Sequence, residues 1–127
     1  RHEMDYAERA KHGEEEFIIG SNTQGFENVM GEYLDEYTEI KDRKEMKIYY
    51  IGGGGQETAR YKTQKSFIPR VLPGLSQKVA NMAIRGDEVL FYSFLTPPVL
   101  YVLKAKAVAE DYKNFFMLLW NMAGHKA

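Results

Sequence analysis

Hydrophobic spacing changes several times along this 127-residue chain, and each change predicts an element. Residues 2–16 are polar, with only Met4, Tyr6, Ala7 and Ala10 as contact candidates. The pattern there predicts a helical lead-in without a wide buried face. Phe17-Ile18-Ile19-Gly20 is a short apolar run stopped by Ser21-Asn22-Thr23-Gln24-Gly25, which predicts a buried strand ending in a loop. From Phe26 the period becomes three to four. Phe26, Val29, Met30, Tyr33, Leu34, Tyr37 and Ile40 then share one face of a predicted helix. Ser21, Asn22 or Thr23 is available as its N-cap, and Lys41, Arg43 and Lys44 fall in the last turn, where cations suit the helix dipole. Met46 to Ile51 predicts a second strand, halted by the tetraglycine Gly52–Gly55. A strand, a helix and a strand in about 35 residues predict one right-handed βαβ unit.

Glu57 to Phe67 predicts a modest helix closed by Pro69, and Val71 to Gly74 is irregular. From Lys78 the period falls to two, with Ala80, Met82 and Ile84 on one side. Gly86-Asp87 predicts a hairpin turn into the return strand Val89 to Leu95. Pro97-Pro98 breaks that strand and Val99 to Leu103 predicts another. A last amphipathic helix carries Val108, Tyr112, Phe115, Phe116, Leu119 and Trp120. No repeat or linker divides the chain, so the prediction is one α/β domain.

Composition narrows the function classes. With 44% apolar and 13% aromatic residues the chain can bury enough surface to offset its ordering entropy, which excludes disorder. Seventeen basic against 18 acidic residues leave a net charge of -1, unlike a domain that binds nucleic acid by bulk charge. Cysteine is absent, which excludes disulfides, thiolate nucleophiles and Cys-ligated zinc and fits a reducing compartment. No apolar run approaches the ~18 residues of a membrane span, and the charged opening residues do not form a secretory signal.

The candidate chemistry is sparse. Gly52–Gly55 follows a strand and precedes a predicted helix bearing Arg60 and Lys62, a place where backbone N–H groups can cradle a phosphate. Neither a G-x-G-x-x-G nor a P-loop Lys-Ser/Thr is present, so a flexible loop competes with anion binding. Ser21-Asn22 end the neighbouring strand, and ligands of open α/β sheets gather outside the carboxyl ends of strands. His2, His12 and His125 lie in the terminal regions without ligand spacing, so no metal is expected. No histidine in the body of the chain could activate a serine. The carboxylates of residues 14–16 and of Glu32, Asp35, Glu36 and Glu39 read as solvated. Arg85-Gly86-Asp87 is explained by the turn rather than by receptor recognition. The aromatic stripe of the last helix reads as packing rather than as a stacking platform.

The order of segments carries a resemblance. Glu15-Glu16-Phe17-Ile18-Ile19-Gly20-Ser21, then an amphipathic helix, then Lys47-Ile48-Tyr49-Tyr50-Ile51-Gly52-Gly53, precede Ile84-Arg85-Gly86-Asp87-Glu88-Val89-Leu90-Phe91-Tyr92-Ser93-Phe94. The chain closes on Ala107 to Trp120. This resembles the phospholipase D-like sensor half of TrmB-type transcriptional regulators. That family has a "gDkV" hairpin and a helix ending in "FxxLW", matched here by Gly86-Asp87-Glu88-Val89 and by Phe115 to Trp120. The resemblance covers about Glu15 to Ala123. It implies a phospholipase D-like half-domain, a mixed β-sheet flanked by helices, over residues 17–127, with residues 1–16 as a linker helix.

Active phospholipase D-like enzymes carry H-x-K-x-x-x-x-D on this hairpin. With Asp87 at the motif's Asp, the His and Lys places fall on Ala80 and Met82, which supply neither nucleophile nor positive charge. The expectation is therefore a non-catalytic ligand-sensing and dimerisation domain of a cytoplasmic transcriptional regulator, not an enzyme and without a cofactor. A homodimer is expected, with a sugar or phosphate-bearing effector. DNA would be contacted only through an N-terminal winged helix, which has no counterpart in this sequence; the chain resembles an isolated effector domain. The candidate ligand residues are Ser21, Asn22, Gly52, Gly53, Arg60, Arg70, Asp87 and Ser93, at expected strand ends or the hairpin. The alternatives are a phosphodiesterase or nuclease working through other residues, and a purely structural dimerisation module.

Overall fold

A computed structural model describes residues 2–20, 23–53, 64–75, 81–94 and 97–124. Among them are six strands in one mixed sheet, ordered β3-β2-β1-β4-β5-β6. The strands are β1 Glu15–Ile19, β2 Lys47–Gly52, β3 Phe67–Val71, β4 Asn81–Arg85, β5 Glu88–Ser93 and β6 Val99–Lys104. β1, β2 and β3 are mutually parallel, whereas β4 joins β1 antiparallel and leads into the meander β4-β5-β6. The fold is therefore α/β, a mixed sheet flanked by helices. The neighbouring parallel strands β1 and β2 match the strand pair of the predicted βαβ unit.

Alternation decides which side chains meet which layer. Phe17, Ile19, Ile51, Met82, Ile84 and Val89 face one way and pack under helix α4 (Lys106–Met122) through Ala109, Phe116 and Trp120. Phe116 is wholly buried, lying edge-on to Phe17 and stacked on Trp120. The other face carries Glu16, Ile18, Ile48, Tyr50, Asn81, Ala83, Arg85, Leu90 and Tyr92. Helices α1 (His2–Arg9), α2 (Thr23–Met30) and α3 (Leu34–Arg43) cover this side.

Two elements differ from the sequence expectation. The helix predicted from Phe26 to Ile40 is interrupted: α2 passes through a 3-10 turn, Gly31–Tyr33, into α3. Gly31 has φ +53°, a conformation that costs side-chain-bearing residues energy, so an apolar stripe was continuous where the backbone is not. Phe67 belongs to strand β3 rather than to the end of a helix, and Pro69 lies within it. β3 is the sheet edge opposite β6, where proline does not break a central ladder. Residues 64–66 of that predicted helix form a turn, closed by Phe67 N donating to the Gln64 carbonyl, and 57–63 lie outside the described residues.

The polar lead-in is docked. Met4 and Ala7 of α1 are buried with Met30, Tyr37 and Ile40. Two residues suffice because polar anchors supplement them. Lys44 Nζ donates to the carbonyls of Ala7, Glu8 and Ala10 at 2.7, 2.7 and 2.9 Å, occupying carbonyls that the end of α1 leaves open. The boundary expected at residue 16 falls inside β1, which begins at Glu15.

Candidate functional site

The helix-covered face of the sheet does not fill completely. Between α1, α2, α3 and strands β1, β2, β4, β5 and β6 lies a cavity of about 200 Å³. Sheet register orders its floor. Ile18 sits opposite Ala83, Ala83 opposite Leu90, Asn81 opposite Tyr92, and Tyr92 opposite Leu100. Its walls are mainly apolar and aromatic: Phe26, Met30, Tyr33, Tyr37, Tyr50 and Phe94. Gly20 lines it where β1 ends, and a Cβ there would stand 3.0 Å from the Tyr50 ring. The close approach of ring and backbone is what glycine permits at this point.

At one end the lining turns ionic. Glu16 accepts from Lys41 Nζ at 3.0 Å and from Arg85 Nη1 at 3.3 Å, with all three residues no more than 3% exposed. Arg85 also grips Glu3 of α1 through both terminal nitrogens, at 3.0 and 3.2 Å. Glu3 further accepts from the Tyr37 hydroxyl at 3.2 Å. The guanidinium lies 3.9 Å from the Tyr6 ring centroid, and Lys41 Nζ lies 4.4 Å from that of Tyr37. Two carboxylates thus meet two cations, so the charges cancel. Arg85 Nε is buried without a hydrogen-bond partner among the described residues.

This cluster sets local proton affinities. Burial would raise the Glu3 carboxyl, but Arg85, with help from Lys41 and Tyr37, more than reverses this and holds it below its ordinary value. Arg85 would lose affinity by burial alone, yet Glu16 and Glu3 raise its pKa above the usual arginine value. Burial, with Glu16 and Glu3 nearby, lifts the Tyr92 hydroxyl well above the usual tyrosine range, so it stays protonated. Tyr6 is raised chiefly by burial too.

Of the residues expected from sequence, Ser93 lines this cavity. Ser21, Asn22 and Arg60 lie outside the described residues. Gly52 and Gly53 stand at the end of β2, away from the cavity lining, and the Gly52 carbonyl accepts from Leu72 N at 2.9 Å. Arg70 lies over the Trp120 ring at 4.3 Å and donates to its carbonyl at 2.7 Å, tying the end of α4 to β3. Asp87 sits in the β4–β5 turn, where its carbonyl accepts from Ala105 N. Met82 is buried beneath α4, on the sheet face opposite the cavity. Ala80 lies outside the described residues. Arg85 of the Arg-Gly-Asp turn is buried at 3% exposure, so the tripeptide is not displayed as a unit.

Glu16, Lys41 and Arg85 carry no site motif in the sequence. The acidic run 14–16 predicts a solvated Glu16, yet strand alternation places it beside Ile18 on the covered face, where it is buried. The same rule puts Arg85 with Ala83, opposite Met82 and Ile84. Lys41 lies in the last turn of α3, as expected, but it is buried there, one turn after Tyr37. Helical Glu32, Asp35, Glu36 and Glu39 are exposed, as their spacing requires. Among the described residues, no three metal-ligating side chains of His, Cys, Asp or Glu converge, and no helix is long and apolar enough to cross a membrane.

The fold is shared with a solved structure. TrmBL2, an archaeal chromatin protein whose structure shows a novel mode of DNA binding, superposes with a TM-score of 0.62 at 18% identity. The match covers 96% of this chain and 48% of that one, so this chain spans about half the length of its structural neighbour. No family model and no curated protein matches the sequence.

Proposed function

We propose that this chain is a non-catalytic ligand-sensing and dimerisation domain of a TrmB-like transcriptional regulator, with the helix-covered cavity as its effector site. The observation that carries the reading is the cavity's construction. One wall is helix α1, which is held by the Glu3–Arg85 ion pair at the cavity's ionic end. An occupant touching Glu3 or Tyr37 changes the energy of α1 docking, and that difference is what a sensing equilibrium requires. Likeness in fold to a DNA-binding chromatin protein supports a regulatory setting. DNA contact would come through an N-terminal module outside this sequence, and the setting would be cytoplasmic. Ser93 would serve the cavity as a polar contact for the effector.

Absence of catalysis is part of the same proposal. Met82 in the motif's lysine place is committed to the core under α4, so it could not reach a phosphate in the cavity. A thermal-shift panel of sugars, nucleotides and phosphates, run beside a phosphodiester hydrolysis assay, tests the reading. Saturable stabilisation without turnover is expected. Turnover that survives purification and is lost in Asp87→Ala would establish an enzyme instead. A purely structural pairing role draws on a separate observation, the apolar exposed strand β6, and is favoured if no compound stabilises the chain.

A further inference from the structure

The charge balance and wall chemistry of the cavity define the class of molecule it can take. All four carboxylate oxygens of Glu3 and Glu16 already accept hydrogen bonds, from Arg85, Lys41 or the Tyr37 hydroxyl. Lys41 is the cavity's lysine, and its ammonium is engaged by Glu16 and by the Tyr37 face. An incoming phosphate or carboxylate would have to take Lys41 from Glu16, leaving a carboxylate buried beside a second anion. Removing one partner from a buried ion pair is strongly unfavourable. A free cation meets the mirror problem, because both carboxylates are spoken for. The rest of the lining is mainly apolar or aromatic, with His2, Asn81 and Ser93 as its other polar members, and the Tyr92 hydroxyl remains a neutral donor.

Size gives the second constraint. An apolar cavity of about 150 Å³ accepts benzene. At about 200 Å³, this one has room for a fused two-ring molecule but little more. Ring-rich walls such as Phe26, Tyr33 and Phe94 favour edge or stacked contacts with a flat occupant. A sugar, by contrast, presents hydroxyls around its whole rim, each losing water against an apolar wall.

We infer that the cavity binds an uncharged, flat, ring-bearing small molecule of about two fused rings, rather than a sugar or phosphate-bearing effector. This deepens the sensing proposal and rests on it. The ionic end positions α1, and the mainly apolar middle holds the ligand.

The test uses the whole chain with three probes: indole, maltose and glucose 6-phosphate, each followed by thermal shift and calorimetric titration. Two rim variants, Leu100→Trp and Val29→Trp, fill the cavity from partly exposed positions that tolerate a larger side chain. Circular dichroism establishes that they are folded. Indole is expected to bind saturably and raise the melting temperature, with affinity at least about tenfold weaker in a folded rim variant. Equal indole binding in both folded variants would overturn the inference, since the compound would then sit elsewhere. Binding of maltose or glucose 6-phosphate in place of indole would overturn the ligand class and leave the sensing proposal standing. Binding of none of the three by the folded chain would remove both.

Discussion

At the residue scale, four charged side chains govern the helix-covered face, and their pairing is the source of its pH dependence. Arg85 serves Glu3 and Glu16 together, so Arg85→Met leaves two carboxylates short of a partner and should cost about 3–5 kcal/mol in urea unfolding. Glu3→Gln keeps the shape, frees one terminal contact and should cost less. The acid limb follows from Glu3. Its folded pKa is depressed, so its contribution is present above the ordinary carboxylate value and is lost as pH falls through the lower folded value. Acid unfolding of wild type should therefore begin with loss of α1 packing, and Glu3→Gln should flatten that limb. The alkaline limb has the opposite sign. Tyr92 and Tyr6 have raised folded values, so their contributions are present below the usual tyrosine pKa of about 10 and fade as pH rises above it. Ultraviolet titration should show tyrosine ionisation coupled to unfolding, less so in Tyr92→Phe. None of this was readable from composition. A buried glutamate in the polar run 14–16 becomes visible only when strand alternation is extended one residue before Phe17.

At the element scale, the fold was legible wherever one periodicity held without interruption. The strands Phe17 to Ile19, Met46 to Ile51 and Val89 onward, the Gly86-Asp87 turn and the last helix all stand where the spacing puts them. Legibility failed where a tertiary contact overrode local pattern. The lead-in is helical as its composition predicts, but its docking through two buried residues and a lysine cap is not legible in so polar a stretch. A proline-bearing segment becomes a strand because a sheet edge accepts it. Gly31 breaks α2 from α3 with positive φ although the apolar stripe runs on. Its position meets no neighbouring atom within 4 Å, so Gly31→Ala tests conformation alone and should cost about 1–2 kcal/mol. Trp120 belongs to the same scale, lying between Tyr49 and Arg70 at the margin of the α4 contact. At 8% exposure it should emit at short wavelength, and Trp120→Ala should cost about 3–5 kcal/mol. Red-shifted native emission with an unchanged melting temperature would place the helix outside the core.

At the scale of the whole molecule, the unfilled requirement is β6. Val99, Leu100, Tyr101, Val102 and Leu103 are each between 39% and 68% exposed, although they form one continuous apolar strand. One side of β6 pairs with β5, and among the described residues no strand follows it on the other side of the sheet. A long apolar edge with open backbone groups is a template for pairing, and monomeric proteins usually blunt such edges with charge or proline. Here the first charge comes only at Lys104. Phe115, Leu118 and Met122 on the outward side of α4 add further exposed apolar surface, more than scattered single residues would explain. The occupant proposed for the β6 edge is a second copy of this chain, matching the homodimer expected from a single half-domain. Antiparallel pairing of β6 with itself would satisfy both edges through one two-fold axis. Tyr101→Lys and Val102→Lys place a charge on each face of that strand without touching the core. Sedimentation should show a dimer at micromolar concentration for wild type and a monomer for the double variant, with matching circular dichroism. A wild-type monomer, or a dimer indifferent to both lysines, would show that β6 is not the interface, and the exposed face of α4 would be the next surface to substitute.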